Sequence, residues 1–473
     1  MTATATDLPR SASRSPAKNR WWPLAVLMIG TFMFVLDFFI VNVALPTIQQ
    51  GLGASQGAIE WIVAGYAIST AVLLVTGGRL GDQFGRRRVF ALGMIMFVLT
   101  SAACALAPDP GVLVAARVLQ GVGAALMAPN ILSILGVTYT GPDRVRAISV
   151  YGMVMGLAAT SGQLIGGVLI RTDLAGLGWR AIFWINVPLG VAALLASRRL
   201  IPESRAAQGS RFDVAGVIAV TATLVALVLP LVDGRQEGWP AWSWITLGAC
   251  VPLAITFVWH QRRAADRGGS PLLNPRVFAS WPLRAGLITQ TAFWCQQAAS
   301  YLVLGLYLQQ GRGLSPLAAG GVFTFLAAGY LITSFQAPAL TIRFGRNVIA
   351  AGAVLAAIGD LGLYLATGHG GSVAWTIPGL LLLGAGQGLC ITPLTTTVLS
   401  HTDPATAGAV SGALSTAQQV GNSIGVAVTG VLFFGALGHG YSLAFERSVL
   451  QMAALLVVVA ALTRLMPGRQ RTG

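Results

Sequence analysis

Long apolar runs recur along this chain, and they restrict its fold more than any other feature of the sequence. A helix needs about 20 mostly apolar residues to cross a hydrocarbon core about 30 Å thick. Runs of that length predict an all-α membrane protein with 14 transmembrane helices. The predicted spans lie at 22–43, 58–79, 88–107, 111–134, 146–170, 181–198, 213–232, 242–260, 284–308, 316–338, 347–366, 373–396, 408–434 and 446–465.

The composition indicates that lipid, and not a protein core, covers these runs. Of the residues, 55% are hydrophobic and 10% are charged, whereas soluble domains carry about 25% charged residues. The net charge of +15 lies mostly in short connectors, which does not indicate a nucleic-acid partner. Lys18 is the only lysine, so a nucleotide-binding loop and a pyridoxal Schiff base both lack the residue that they require. We therefore expect no cofactor, and the lipid bilayer is the surrounding partner.

The basic residues indicate how the chain is oriented in the membrane. With the N-terminus inside, 24 Lys and Arg residues fall in inner connectors and tails, five fall in outer connectors, and Arg117 lies within a span. Cytoplasmic connectors of membrane proteins carry the excess of positive charge. The sequence therefore predicts a multi-pass protein of the inner (cytoplasmic) membrane with both termini in the cytoplasm. Residues 1–20 are predicted to be a disordered tail and not a cleaved signal peptide.

An internal repeat predicts two halves of six helices each. Phe-Gly-Arg at 84–86 returns at 344–346, and Gly162 and Gly166 return as Gly421 and Gly425. Parallel repeats that flank a site in the middle of the membrane are one way in which transporters alternate access. The predicted domains are a tail at 1–20, a first half at 21–200, connectors with two extra helices at 201–283, a second half at 284–466 and a tail at 467–473.

Four ionisable residues within spans are candidates for function, because a charge in the middle of a bilayer is costly. At 1.5 Å per residue, Asp37 lies about 22 Å and Arg117 about 21 Å above the inner surface. A carboxylate and a guanidinium at one depth can pair, and protonation of Asp37 would then release Arg117. A static ion pair that orients two helices is the alternative. The roles of Asp360 and Glu60 stay open at this point.

One face of the ninth span predicts a substrate cavity. Gln290, Trp294, Gln297 and Tyr301 are spaced so that they share one side of a helix. Amide and aromatic groups suit amphipathic and cationic guests, although such groups also form hydrogen bonds between helices. Weaker signals of the same kind complete the set: Gln120, Gln387, Gln418, Gln419 and Asn422.

The loop between the second and third spans resembles the signature loop of the major facilitator superfamily. Its sequence, from position 78 to position 88, is GRLGDQFGRRR. Glycines permit a tight turn, and the acid can pair with nearby arginines. The resemblance implies a cytoplasmic latch between the halves. The residues predicted to form this gating loop are Gly78, Gly81, Asp82, Gly85, Arg86 and Arg87.

Three further segments resemble the 14-helix drug:proton antiporter branch of that superfamily. They are Leu36-Asp37 through Pro46, the run from Arg117 to Ala125, and Trp179-Arg180 through Gly190. The resemblance covers about 22–465 and implies that Asp37 and Arg117 couple transport to protons. One departure concerns the fifth span, in which Gln163 replaces the motif proline. Small residues for close helix packing remain there: Gly162, Gly166 and Gly167.

Together these features predict secondary active export of drug-like or antibiotic compounds in exchange for protons. A dedicated exporter of a metabolite or of a self-made antibiotic is one alternative, and a symporter or uniporter of the same fold is another. A lipid-modifying membrane enzyme is disfavoured, because the four histidines lie at helix ends or in connectors and no catalytic or metal-binding set gathers. The predicted partners are therefore a small-molecule substrate and protons, and the sequence leaves the oligomeric state open.

Overall fold

The fold is described by a computed structural model for residues 20–205, 213–267, 269, 271, 280–368, 372–400 and 407–466. The predicted tails at 1–19 and 467–473 lie outside these residues. Long helices joined by short connectors make up the described chain. They are α1 (Trp22–Leu52), α2 (Gln56–Phe84), α3 (Arg86–Ala105), α4 (Pro110–Thr138), α5 (Gly141–Thr172), α6 (Ala181–Trp184), α7 (Asn186–Leu200), α8 (Val214–Gln236), α9 (Ala241–Asp266), α10 (Trp281–Leu306), α11 (Pro316–Ser334), α12 (Ala337–Phe344), α13 (Asn347–Gly368), α14 (Thr376–Ser400), α15 (Ala407–Ala436) and α16 (Tyr441–Leu462).

By length and apolar composition, 11 helices of the described chain are able to cross a membrane, and a bent α5 makes 12. The sequence predicted 14. The difference lies in α8, whose described apolar stretch is Val214–Leu227, and in α10. At 26 residues α10 is long enough to span, but it carries several buried glutamines. A helix enclosed by other helices can carry such polar groups, which a lipid-facing helix cannot.

Capping side chains and a glycine set the ends of several helices. Asp109 accepts a hydrogen bond from the Val112 amide at 3.0 Å, and Ser55 and Ser315 cap α2 and α11 in the same way. Such a side-chain oxygen satisfies an amide that has no partner within the helix. Gly53 ends α1 with a φ of 61°, in the left-handed region that glycine adopts without steric cost. These ends allow long helices to follow one another through short turns.

The two halves repeat the same helix contacts. Gly162 and Gly166 of α5 lie against α1, and 259 residues later Gly421 and Gly425 of α15 lie against α10. A Cβ on Gly425 would fall 1.9 Å from the carbonyl oxygen of Cys295. Only glycine allows two backbones to approach so closely. The recurrence of this packing is what a duplicated half requires.

The halves meet along α5 and α11, a contact that we call the seam. We call the end of the bundle at which α1 begins the near face, and the end at which α1 finishes the far face. Toward the far face, a Cβ on Gly167 would lie 2.9 Å from Leu317 Cα, and one on Gly320 would lie 2.7 Å from the carbonyl oxygen of Gln163. The predicted packing glycine Gly167 therefore joins the two halves, and the far face is closed along the seam.

Farther toward the near face, the seam is held by a hydrogen bond. The Tyr330 hydroxyl of α11 donates to the carbonyl oxygen of Gly152 in α5 at 2.5 Å. α5 bends by 43° between Ala159 and Ser161, although Gln163 stands where the antiporter motif has its proline. The bend at this point of α5 is therefore made without that residue.

The two extra helices pack beside the bundle. α8 and α9 lie against each other, and α8 also contacts α2 and α15. Asp213 joins them, because its carboxylate lies 2.9 Å from Nε2 of His260 and accepts a hydrogen bond from Gln261 at 2.8 Å. Only 6% of the residues in the most apolar stretch of α9 are buried. Most of this helix therefore faces outward, as a lipid-facing helix does.

Candidate functional site

The predicted pair of Asp37 and Arg117 forms the centre of a buried polar cluster. Nη1 of Arg117 donates to Oδ2 of Asp37, and both side chains are fully buried. Gln120, one helical turn from Arg117, donates to Oδ1 of Asp37 at 3.0 Å and accepts from Arg117 at 2.8 Å. The carboxylate therefore receives a charged donor and a neutral donor from α4. The sequence placed Asp37 and Arg117 at equal depth in the membrane, and the structure shows these two side chains in contact.

Two further residues complete the cluster, and the sequence analysis assigned neither of them a role. Asn186, at the start of α7, donates to Oδ1 of Asp37 at 2.8 Å. Its amide also lies 3.1 Å from the Ser101 hydroxyl of α3. Donors from α4 and α7 thus reach this carboxylate of α1, and α3 contacts the cluster through Asn186. Asn186 belongs to the third segment that carries the family resemblance, and this was the signal that could have identified it.

Arg117 is held from two further directions. Its Nε donates to the carbonyl oxygen of Ile62 in α2 at 3.0 Å. The guanidinium lies over the ring of Tyr66, 4.3 Å from the ring centroid, a favourable cation–π arrangement. Nη2 has no partner in the described structure. The guanidinium is therefore fixed in place and retains one free donor.

A cavity lies next to this cluster, between the two halves. The space inside it, counted together with the part open to solvent, is about 570 Å³. The lining is mainly aromatic and aliphatic, with hydroxyl and amide groups from α15. The lining residues are Phe34, Val35, Phe38, Phe39, Tyr66, Thr70, Leu74, Ala128, Tyr151, Met155, Ala159, Trp294, Ser415, Gln418 and Asn422.

A second cavity of about 350 Å³ continues toward the near face and shares part of this lining. Tyr151, Met155, Trp294, Ser415 and Gln418 line both cavities. A route of polar and aromatic side chains thus leads from the middle of the bundle toward the near face, while the seam closes the far face.

The predicted cavity residues separate into three groups. Gln290 and Trp294 line the cavities, as do Gln418 and Asn422. Gln120 is a member of the Asp37 cluster. Three others lie among packed helices: Tyr301 donates to Gln387 at 3.3 Å and contacts the rings of Phe39 and Phe323, and Gln297 is buried. The side chain of Gln419 lies outside the described structure.

The signature loop binds the end of its own half. Asp82 pairs with Arg86 at 2.8 Å. The amide of Arg87 donates to Glu203 at 3.1 Å, and its guanidinium donates to the carbonyl oxygen of Ile201 at 3.2 Å, just beyond α7. Gly85, at a φ of 110°, leaves room for the Glu203 carboxylate. The predicted loop residues are therefore tied to the segment after α7.

One contact from the loop region reaches beyond the first half. Arg79 donates to the carbonyl oxygen of Pro271, in the connector that precedes α10. The repeated loop of the second half resembles the first, because Arg346 donates to the carbonyl oxygens of Arg464, at 2.8 Å, and Met466, next to α16. Gly78 and Gly81 face Pro129 and Asn130 of α4.

The remaining ionisable candidates lie apart from this cluster. Asp360 is fully buried in α13, in the second half. Glu60 lies near the start of α2, and its side chain is outside the described structure. Among the described residues no group of three or more His, Cys, Asp or Glu side chains could hold a metal ion.

The Asp37 cluster and the adjoining cavity can bind and release a proton and a small molecule. The described side chains include no set of groups placed to make or break a covalent bond in a substrate. The buried carboxylate can take up a proton and exchange hydrogen-bond partners, and the cavity beside it can enclose a small molecule. Helices that cross a membrane surround both. The fold and this site are those of a membrane transporter.

Comparison with known proteins identifies the family. The model of the Major Facilitator Superfamily matches residues 27–426, and the chain belongs to this superfamily. It is 38% identical over 435 residues to the "Probable actinorhodin transporter" of Streptomyces coelicolor, covering 90% of this chain and 75% of that protein. It is 34% identical over 451 residues to the "Tetracenomycin C resistance and export protein" of Streptomyces glaucescens, covering 93% and 81%.

A solved structure shows the same fold. The proton:xylose symporter XylE superposes with a TM-score of 0.68 at 15% sequence identity, over 96% of this chain and 97% of that one. The family model confirms the predicted superfamily, and this superposition confirms the helical transporter fold.

Proposed function

We propose that this protein exports antibiotic-like small molecules across the cytoplasmic membrane in exchange for protons. Export is supported by the relatives, whose names state transport or export of an antibiotic. Proton exchange is supported by the Asp37 cluster, in which a buried carboxylate of α1 depends on donors from two other helices, α4 and α7. We further propose 14 spans with both termini in the cytoplasm, which makes the near face the cytoplasmic face.

The observation that carries the proposal is the position of Tyr66. Its ring lines the cavity and also lies under the guanidinium of Arg117, 4.3 Å away. Its hydroxyl donates to the carbonyl oxygen of Phe34 at 2.9 Å, which ties α2 to α1. A guest that moves this ring changes the environment of Arg117, and therefore the hold of Arg117 on Asp37.

The coupling follows from charge balance. A proton bound by Asp37 removes the charge that holds Arg117, and the guanidinium must then find other acceptors. Loss of the ion pair loosens α1 from α4, and both helices line the cavity. Release of the proton restores the pair. Because a ligand shifts a conformational equilibrium only by its differential affinity, the proton and the substrate must each favour a different packing of these helices.

The cavity favours uncharged aromatic substrates. No Asp, Glu, His, Lys or Arg is among its described lining residues. A cationic guest would therefore find aromatic faces but no carboxylate partner in this lining. Phe38, Tyr66, Tyr151 and Trp294 offer flat surfaces, and the Gln418 amide offers hydrogen bonds. The sequence predicted amphipathic and cationic guests, and we propose that flat, mainly neutral molecules fit this lining better.

A dedicated exporter of a self-made antibiotic is the second candidate. It is favoured by the two relatives, each of which is named for a single compound. A narrow substrate range in transport measurements would support it over a multidrug pump. Both candidates share the exchange mechanism and differ only in the breadth of the cavity.

The test is uphill transport in inverted membrane vesicles, with tetracenomycin C as an aromatic probe and ethidium as a cationic one. We expect Asp37→Asn to express normally and to lose proton-driven uptake, because an amide cannot exchange a proton. Asp109→Asn is the matched control, since asparagine also caps a helix. Normal uphill transport by Asp37→Asn would refute the role of Asp37. An absence of proton movement with every compound would refute antiport.

A further inference from the structure

Asp360 lies in the second half, at the centre of a small polar cluster that the proposed mechanism does not use. It is fully buried in α13. Its Oδ2 lies 3.5 Å from Nε2 of Gln296 in α10, and its Oδ1 has no partner in the described structure. The same amide donates to Ser300 at 2.6 Å, and the Ser300 hydroxyl donates to the sulfur of Met452 at 3.2 Å.

The internal repeat relates this cluster to the Asp37 cluster. Gln296 lies 259 residues after Asp37, and Asp360 lies 259 residues after Ser101, the offset already found for the packing glycines. In the first half the acid is on α1 and the hydroxyl is on α3. In the second half the acid, Asp360, is on α13, the counterpart of α3, and the amide, Gln296, is on α10, the counterpart of α1. Each half thus carries one buried acid at equivalent depth, with the helix exchanged.

Among the described residues, Asp360 has no positively charged partner, and no charged side chain acts on it. α14 presents Gly379 and Leu383 at this level. Of the titratable groups on the packed helices, Cys390 lies beside Gly352, about 12 Å nearer the near face at 1.5 Å per residue. Glu446 and Arg447 lie more than a turn beyond Met452 in α16.

An ionised carboxylate in this position would be costly. Burial of a charge without a partner is among the most unfavourable events in folding and in membranes. Oε1 of Gln296 also lacks a hydrogen-bond partner in the described structure. Asp360 and Gln296 together therefore have two acceptor oxygens without a partner and lack a hydrogen-bond donor between them. A single proton on the carboxyl removes the charge and supplies the missing donor.

We propose that Asp360 is a second proton-binding site and that it holds a proton in this far-closed conformation. A metal cation is a poorer occupant, because hard cations take about six or more oxygen ligands and this cluster has two oxygens without partners. The step is a simple protonation, in which a carboxylate and a proton give a carboxylic acid. The role of this proton in transport rests on the proposed exchange function, whereas its presence does not.

Infrared spectroscopy of the purified, reconstituted protein tests the presence of the proton without any transported compound. We expect a protonated-carboxyl band at neutral pH that is lost in Asp360→Asn and retained in Asp37→Asn and Asp109→Asn. An unchanged band in Asp360→Asn would overturn the proposal. If that variant does not fold, dicyclohexylcarbodiimide, which reacts with protonated buried carboxyls, should label Asp360 in the wild type. Absence of the label at Asp360 would then overturn the proposal.

The transport role is tested separately. We expect Asp360→Asn to keep downhill movement of tetracenomycin C but to lose part of the dependence of uphill transport on the pH gradient, and Asp360→Glu to restore it. A residue that only packs would leave the dependence on the gradient unchanged. Identical pH dependence in Asp360→Asn and wild type would therefore overturn a role in coupling, even if the infrared band is assigned to Asp360.

Discussion

The seam offers a direct way to bias the conformation of this protein. Gly320 of α11 faces the backbone of α5, where a Cβ would fall 2.7 Å from the carbonyl oxygen of Gln163 and 2.9 Å from Leu164 Cα. The neighbouring Gly321 has no heavy atom within 4 Å of such a Cβ. One added methyl group therefore forces two helices apart at Gly320 and meets open space at Gly321.

The size of the effect follows from this geometry. Over-packing against backbone costs about 1–3 kcal/mol. Both Gly→Ala changes gain about 1 kcal/mol of helix propensity, so a comparison of the two variants isolates the steric part. That part acts only on the far-closed state, in which the helices touch. We expect Gly320→Ala to shift the population away from this state by about 5- to 150-fold relative to Gly321→Ala.

Pulsed electron spin resonance can measure the shift. Nitroxides on cysteines introduced at Arg171 of α5 and Ala318 of α11, in a background without the native cysteines, report the separation of the two helices at the far face. Gly320→Ala should increase the long-distance population, and Gly321→Ala should match the parent. Equal distance distributions for the two variants would refute the idea that this contact closes the far face.

Three further substitutions follow from the contacts described above. Arg117→Lys keeps the charge but loses the Nε bond to Ile62 and the planar contact with Tyr66. We therefore expect proton-driven transport by this variant to fall at least tenfold. Transport equal to that of the wild type would contradict this expectation. Asn186→Ala removes one donor to the Asp37 carboxylate and should move the pH profile of transport to higher pH, because the ionised form loses a hydrogen bond; an unmoved profile would contradict this. Glu203→Gln weakens the partly exposed contacts with the signature loop, so thermal unfolding in detergent should show a loss of only about 1 kcal/mol or less, and a larger loss would show that the loop depends on this charge.

The membrane explains why part of the site could be predicted from the sequence. A bilayer of fixed thickness sets a scale along each helix, and this scale placed Asp37 and Arg117 at one depth. Their pairing followed, because a buried charge without a partner is too costly. Asn186 and Ser101 carry no charge, so no comparable argument from charge selects them among many polar residues within spans.

The cavity could be predicted only in part, for a different reason. Helical periodicity shows that Gln290, Trp294, Gln297 and Tyr301 share one face, but not what that face meets along its length. Toward the near face, Gln290 and Trp294 line a cavity between the halves. Toward the far face the halves close, and Tyr301 packs between aromatic rings. The conformation of the whole molecule decides this, and one helix does not encode it.

The paired arginine contacts at the near face have a mechanical consequence. Arg87 joins the loop after α2 to the end of α7, and Arg346 joins the loop after α12 to the end of α16. In each half, this contact therefore ties the loop to the end of the last helix of the same half. Two halves that are tied in this way can move against each other along the glycine-lined seam. The work of each cycle then falls on the seam and on the Asp37 cluster, where one methyl group or one proton can change its rate.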